Sequence, residues 1–203
     1  MKYKREVNGI TNIPQTGGVL LLGNHISWID IPVIGSLTRV FFLSKAEVAR
    51  WPLMGRLARA GGTLFIQRGS GDSDQVRQQS TDFLKQKLPI VFFPEATTTD
   101  GQQVRRLHGR LLQSAIDSQA NIQPVVMCYV TAQRKLDLVI PFIGDISFVV
   151  HLQQVLAHPA VTAHVMVLPV IHSVGHDVHS LTNLLQQQMR DGLAALHAKV
   201  LVD

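Results

Sequence analysis

What most restricts the fold of this chain is a recurring alternation: a short apolar run, closed by a small or polar residue, is followed by a longer stretch of helical character. Val19 to Leu22, Val40 to Leu43, Thr63 to Ile66 and Ile90 to Phe93 are too short for helices and read as buried strands. Between them, Ile31 to Leu37, Lys45 to Ala60 with a break at Pro52, and a polar segment from Asp72 to Lys87 read as helices. Strand followed by helix, repeated, points to an α/β domain with a mixed, mostly parallel sheet flanked by helices. The second half continues with a helix near Arg110 to Ser118, strands at Ile122 to Val130 and Leu136 to Ile140, and a helix from Phe148 to Ala157. A strand at Val161 to Leu168 and a last helix from Ser180 to Val200 complete the reading. No internal repeat, low-complexity tract or linker marks a second unit, so residues 1–203 are read as one domain, a length that one core can serve.

Composition narrows the partners. Hydrophobic residues form 46% of the chain and charged ones 16%, which excludes disorder and leaves apolar surface to face lipid or an acyl chain. A net charge of +5 favours anionic partners, among them phospholipid headgroups, coenzyme A phosphates, an acidic carrier protein or nucleic acid. The single cysteine, Cys128, lies in an apolar run and reads as core. No stretch reaches the roughly eighteen apolar residues of a spanning helix, and no signal-peptide apolar region follows Met1-Lys2-Tyr3-Lys4-Arg5. Membrane contact is therefore expected to be peripheral, unless a segment outside this chain anchors it.

His25 follows the run Val19 to Leu22 and Gly23-Asn24, which places it at the carboxyl end of a strand, where open α/β sheets bind ligands. Asp30 comes five residues later; within one continuous helix the two side chains would diverge by roughly 140°. They meet only if His25 precedes the helix and Asp30 lies in its first turn. Two readings fit that spacing. In one, Ser27 and Asp30 form a capping box and need no chemistry. In the other, Asp30 accepts a hydrogen bond from one ring nitrogen of His25 and leaves the other free to take a proton from an alcohol.

Four blocks in order bear on the choice. Asn24-His25-Ile26-Ser27-Trp28-Ile29-Asp30 resembles the first signature of the glycerolipid acyltransferase family, which includes 1-acylglycerol-3-phosphate acyltransferases. Gly62 to Gly69, Phe93-Pro94-Glu95-Ala96-Thr97 and Ile122-Gln123-Pro124-Val125 resemble the second, third and fourth, and the likeness spans roughly residues 5 to 170. The resemblance implies that His25 and Asp30 are catalytic and that Asn24, Arg68, Gly69, Glu95, Ala96, Thr97 and Thr98 belong to the substrate site. Arg68 would hold the acceptor's phosphate. It implies a fatty acyl donor, acyl-coenzyme A or acyl-carrier protein, and a lysophospholipid acceptor, foremost 1-acylglycerol-3-phosphate. It implies no cofactor, no nucleic acid, and a place on the cytoplasmic face of a membrane.

The third block departs from the family pattern Phe-Pro-Glu-Gly-Thr-Arg-Ser, with Ala96 for the glycine and Thr98 for the arginine. The lost cation keeps a lyso-ornithine lipid or a lysophosphatidylcholine-type acceptor open, although Arg105 and Arg106 stand nearby as replacement charge. Lys45, Arg50, Trp51, Arg56 and Arg59 suit an anionic membrane interface and equally a solvated surface. His172, His176 and His179 lack the spacing of a zinc site, so no metal is expected. Two rivals remain: a serine hydrolase with Ser27 as nucleophile, and a non-catalytic lipid- or nucleic-acid-binding protein. The missing Gly-x-Ser-x-Gly elbow weighs against the first.

Overall fold

The computed structural model describes residues 2–14, 17–45, 64–66 and 73–202. Its strands are β1 (Lys2–Asn8), β2 (Val19–Gly23), β3 (Phe41–Lys45), β4 (Leu64–Ile66), β5 (Ile90–Phe92), β6 (Asn121–Val130), β7 (Ala160–Val167) and β8 (Ile171–His172). Its α-helices are α1 (Asp30–Gly35), α2 (Ser73–Lys85), α3 (Leu112–Ser118), α4 (Phe148–Ala157) and α5 (Val178–Val200). The sheet runs β1-β7-β6-β2-β5-β3-β4, with β8 also pairing with β6. β6, β2, β5, β3 and β4 are mutually parallel, while β7 is antiparallel to β6 and carries β1 parallel to itself. The expected mixed, mostly parallel sheet is thus what the chain forms.

Strand alternation divides the core into two layers. Leu20 and Leu22 of β2, Ile90 and Phe92 of β5, and Ile122, Val126 and Cys128 of β6 face one side. There they meet Leu84 of α2, Leu112 and Ala115 of α3, and the stripe Leu181, Leu185, Met189, Leu193 and Leu196 of α5. These last five recur every three or four residues, the period of one helical face, and each buried side chain stabilises by roughly 1.5–3 kcal/mol. The intervening residues Val19, Leu21, Val91, Val125 and Met127 face the other side, against Val33 and Ile34 of α1 and Val155 of α4. Because β2 is buried on both faces, it reads as an unbroken apolar run, as central parallel strands do.

Two expectations need correction. Leu136 to Ile140 is not a strand: only Leu136 pairs, in a single antiparallel bridge to Val130. The Asp137 carboxylate captures the amides of Val139 (2.8 Å) and Ile140 (2.9 Å), and a turn closed by a side chain cannot offer those donors to a ladder. Conversely, β1 forms from Lys2-Tyr3-Lys4-Arg5-Glu6-Val7-Asn8, whose charged composition carries no strand signal. It is an edge strand held by seven paired residues along β7, and charge is compatible with an edge. The helix expected over Lys45 to Ala60 and the basic cluster within it lie outside the described residues, apart from the backbone of Lys45.

Candidate active site

The carboxyl ends of the neighbouring strands β2, β5 and β6 converge on His25. Gly23 pairs with Val125 on β6, and Leu22 with Phe92 on β5, so the residues just past β2 and β5 emerge side by side. α1 begins at Asp30, and His25 precedes it, as the spacing demanded.

His25 Nδ1 lies 2.8 Å from Asp30 Oδ2. The same oxygen accepts the backbone amides of Ile26 (2.7 Å) and Ser27 (2.9 Å), while Oδ1 accepts the Tyr129 hydroxyl (2.7 Å). Asp30 is fully buried, so these four donors compensate a carboxylate that has lost its water. The carboxylate only accepts, which places the ring proton of His25 on Nδ1 and leaves a lone pair on Nε2. Nε2 has no partner among the described residues, and the side chain is 20% exposed. One ring nitrogen is therefore held and the other is available. The capping and chemical readings turn out to be compatible: Asp30 reaches back to the Ser27 amide, as in half a capping box, and orients the imidazole with the same oxygen. The Ser27 hydroxyl caps nothing.

The imidazole stacks on Phe93, with ring centroids 4.0 Å apart and planes 12° from parallel. Its backbone is fixed at both ends. The amide donates to Glu95 Oε2 (2.6 Å), and the carbonyl accepts from the amide (2.8 Å) and hydroxyl (3.1 Å) of Thr99. Glu95 Oε1 takes the Arg105 amide (2.7 Å), so one buried carboxylate ties the loop after β2 to the loop after β5 and on to residue 105. Burial holds the Glu95 carboxyl above its ordinary value, and the two amides pull it back down. Glu95 thus serves backbone amides and orders the loops around His25.

The remaining expected site residues divide. Asn24 is buried and its amide is engaged at both ends by Met127, donating to the carbonyl (3.0 Å) and accepting from the amide (2.8 Å), so it locks the loop to β6. Ala96 and Thr97 are exposed beside the site. Ala96 has φ +60°, the left-handed region where glycine is at ease, which explains the glycine in the family pattern. The Thr98 hydroxyl donates to the Phe142 carbonyl, and the Phe142 amide donates to the Ile26 carbonyl (2.9 Å). Thr98 therefore stands where the family has a cation and is occupied with fold contacts. Arg105 and Arg106 are exposed beside this loop; Arg68 and Gly69 lie outside the described residues.

Ser27 is buried, and its hydroxyl has no hydrogen-bond partner among the described residues. His25 Nδ1 is turned to Asp30 instead, so the seryl nucleophile of the hydrolase reading is neither activated nor reachable. Sequence reasoning missed Tyr129 and His151. Trp28, inside the first block, donates through Nε1 to His151 Nδ1 (2.9 Å), and His151 Nε2 meets the Val139 carbonyl (3.0 Å). Only the tertiary fold brings these residues to the first block. Burial raises the Cys128 thiol to about 12, consistent with its core setting.

A buried carboxylate orienting a partly exposed imidazole, at the carboxyl edge of a parallel sheet, is an arrangement suited to general-base chemistry. A family model for acyltransferases matches residues 4–128, and the chain belongs to that acyltransferase family. Over 172 residues it is 42% identical to the lyso-ornithine lipid O-acyltransferase of Pseudomonas aeruginosa, covering 85% of this chain and 66% of that protein. Over 113 residues it is 34% identical to the 1-acyl-sn-glycerol-3-phosphate acyltransferase of Neisseria meningitidis serogroup B, covering 55% of this chain and 44% of that protein. The crystal structure of the 1-acyl-sn-glycerophosphate acyltransferase from Thermotoga maritima superposes with a TM-score of 0.71 at 19% identity. The match takes in 96% of this chain and 73% of that one, a likeness of fold. The chain spans between 44% and 66% of the length of these two curated relatives.

Proposed function

We propose that the chain is an O-acyltransferase that moves a fatty acyl group from a thioester to the hydroxyl of a lysolipid. The observation that carries this reading is the His25–Asp30 pair, with Nδ1 committed and Nε2 available at a strand end. Nε2 removes the proton of the acceptor hydroxyl as its oxygen attacks the thioester carbonyl. Asp30 stabilises the imidazolium that forms, and collapse of the tetrahedral species breaks the carbon–sulfur bond. The imidazolium proton then passes to the departing thiolate of coenzyme A or carrier protein. No covalent enzyme intermediate is needed.

For the acceptor we favour lyso-ornithine lipid over 1-acylglycerol-3-phosphate. The Pseudomonas relative is named for the former, and Thr98, bonded to Phe142, offers no cation to a phosphate. An ornithine headgroup carries an ammonium and a carboxylate and makes no such demand. Purified protein given palmitoyl-coenzyme A and a panel of lysolipids, with products identified by mass, is expected to acylate lyso-ornithine lipid fastest. Faster turnover of 1-acylglycerol-3-phosphate would reverse the assignment, and the absence of acceptor-dependent thiol release would remove the acyltransferase reading altogether.

We further propose that the protein works at a membrane surface, on the cytoplasmic side, through the unit that follows the bridge at Leu136. Leu138 (85% exposed), Val149 (62%) and Leu156 (61%), with Ile143 and Val150, expose apolar side chains there, and Asp145 is the only charged residue from 138 to 157. The unit flanks a cavity of about 600 Å³ lined by Val139, Pro141, Ile146 and His151, and Phe142 ties it to the loop bearing His25. A lipid surface seated on it would lie beside the site. No helix among the described residues is long and apolar enough to cross a membrane. The double change Val149→Glu and Leu156→Glu is expected to weaken cosedimentation with anionic phospholipid vesicles by about tenfold or more, by removing apolar area and adding charge. Unchanged cosedimentation would show that this face stays in water.

A further inference from the structure

Beyond the histidine and aspartate, we propose that Tyr129 is a positioning residue for the general base, acting on His25 through Asp30. This rests on the acyl-transfer reading above. Tyr129 lies near the carboxyl end of β6, ninety-nine residues from Asp30 in sequence, and is 2% exposed. Its hydroxyl is the only donor among the described residues to Asp30 Oδ1, at 2.7 Å, whereas Oδ2 takes His25 and two amides.

The chemistry of that contact has a fixed direction. Burial, and then the negative charge of Asp30, push the phenol well above its ordinary range, so it keeps its proton and donates. A donor on Oδ1 withdraws charge from the carboxylate, lowers its basicity and keeps the Nδ1 proton on the imidazole rather than letting Asp30 take it. It also sets the rotation of the carboxylate, and hence the line from Oδ2 to Nδ1. Because β6 is clamped to the first block by the paired Asn24–Met127 bonds two residues earlier, the tyrosine is presented from a rigid strand. The other titratable or charged groups that act on this pair are His25 across the carboxylate, Tyr3 and, through it, Arg5 on β1, Cys128 beside Tyr129, and Glu95.

The test is Tyr129→Phe in the full chain, assayed with palmitoyl-coenzyme A and the panel lysolipid that turns over fastest. Without the phenol the carboxylate carries more charge and stabilises the imidazolium more strongly. The acidic limb of the kcat profile is therefore expected to move to higher pH by about half a unit. kcat at the plateau should fall about tenfold through lost alignment, with KM for both substrates within about twofold of the unaltered protein. An unshifted limb, whether or not kcat falls, overturns the proposal, because a merely structural tyrosine would lower activity without moving the titration. Should the phenylalanine variant fail to fold, 3-fluorotyrosine at position 129 decides the matter. Its more acidic phenol is a stronger donor, so the limb should move to lower pH, and an unmoved limb again overturns the proposal. Absence of acceptor-dependent thiol release in the unaltered protein would instead remove the underlying acyl-transfer reading, and activity retained by His25→Ala would remove His25 as its base, outcomes distinct from either result at Tyr129.

Discussion

His25→Ala is expected to lower kcat by about a hundred- to ten-thousand-fold while leaving a folded protein, the range that general-base assistance commonly supplies. The separation of activity from folding follows from where the contacts of residue 25 originate. Its bonds to Glu95 and Thr99 are made by the main chain and survive the change. What is lost is the stack on Phe93 and one of three donors to Asp30 Oδ2, at a position already partly exposed. Stability should therefore fall by only about 1 kcal/mol. Single-turnover thiol release, measured alongside thermal unfolding, separates the two effects. Turnover within a few-fold of the unaltered protein would mean that another group takes the proton.

Asp30→Asn should damage both. The amide that replaces the carboxylate presents one oxygen and one NH2 group to four donors, so the NH2 group must face at least one of them. If the oxygen stays with Oδ2's partners, the Tyr129 hydroxyl loses its acceptor. If it turns to Tyr129, the imidazole and two backbone amides are abandoned. Either arrangement leaves buried donors unpaired at about 1–3 kcal/mol, a fall in Tm of roughly 2 to 12 °C for a chain of this size. The imidazolium also loses its counter-charge, and kcat should fall by about a thousandfold or more, on the scale of the same change in a serine-protease triad. A variant with normal Tm and normal kcat would show that the carboxylate neither holds the loop nor serves the histidine.

The contrast between the two variants bears on how the site could be read in advance. The capping alternative treated Asp30 as structural, and the geometry shows a single carboxylate doing both tasks, because the donors it needs, two amides and an imidazole, are brought together by the same turn. That turn is local, spanning residues 25 to 30, and local spacing was enough to show that the two side chains meet only if His25 precedes the helix and Asp30 lies in its first turn, where the helix in fact begins. Glu95 was legible as a site residue but not in its role. Whether its oxygens meet a substrate or backbone amides depends on where the loop after β5 lies relative to β2, which no local pattern encodes. Asn24 is similar: it adjoins the histidine in sequence, but β6 takes up both ends of its amide.

The sequence by itself determined the alternation that makes an α/β sheet, the strand ends that carry His25 and Glu95, and the one local arrangement in which His25 and Asp30 can meet. Each of these depends on residues within a few positions of one another, where periodicity, turn chemistry and spacing act directly. Tertiary structure alone decided that β7 runs against β6 and that the charged segment Lys2–Asn8 becomes an edge strand. It also brought Tyr129 to Asp30, Thr98 to Phe142 and Trp28 to His151. These pairings join residues 32 to 158 positions apart, and they exist only once the two core layers have closed on the sheet and set which chain ends meet.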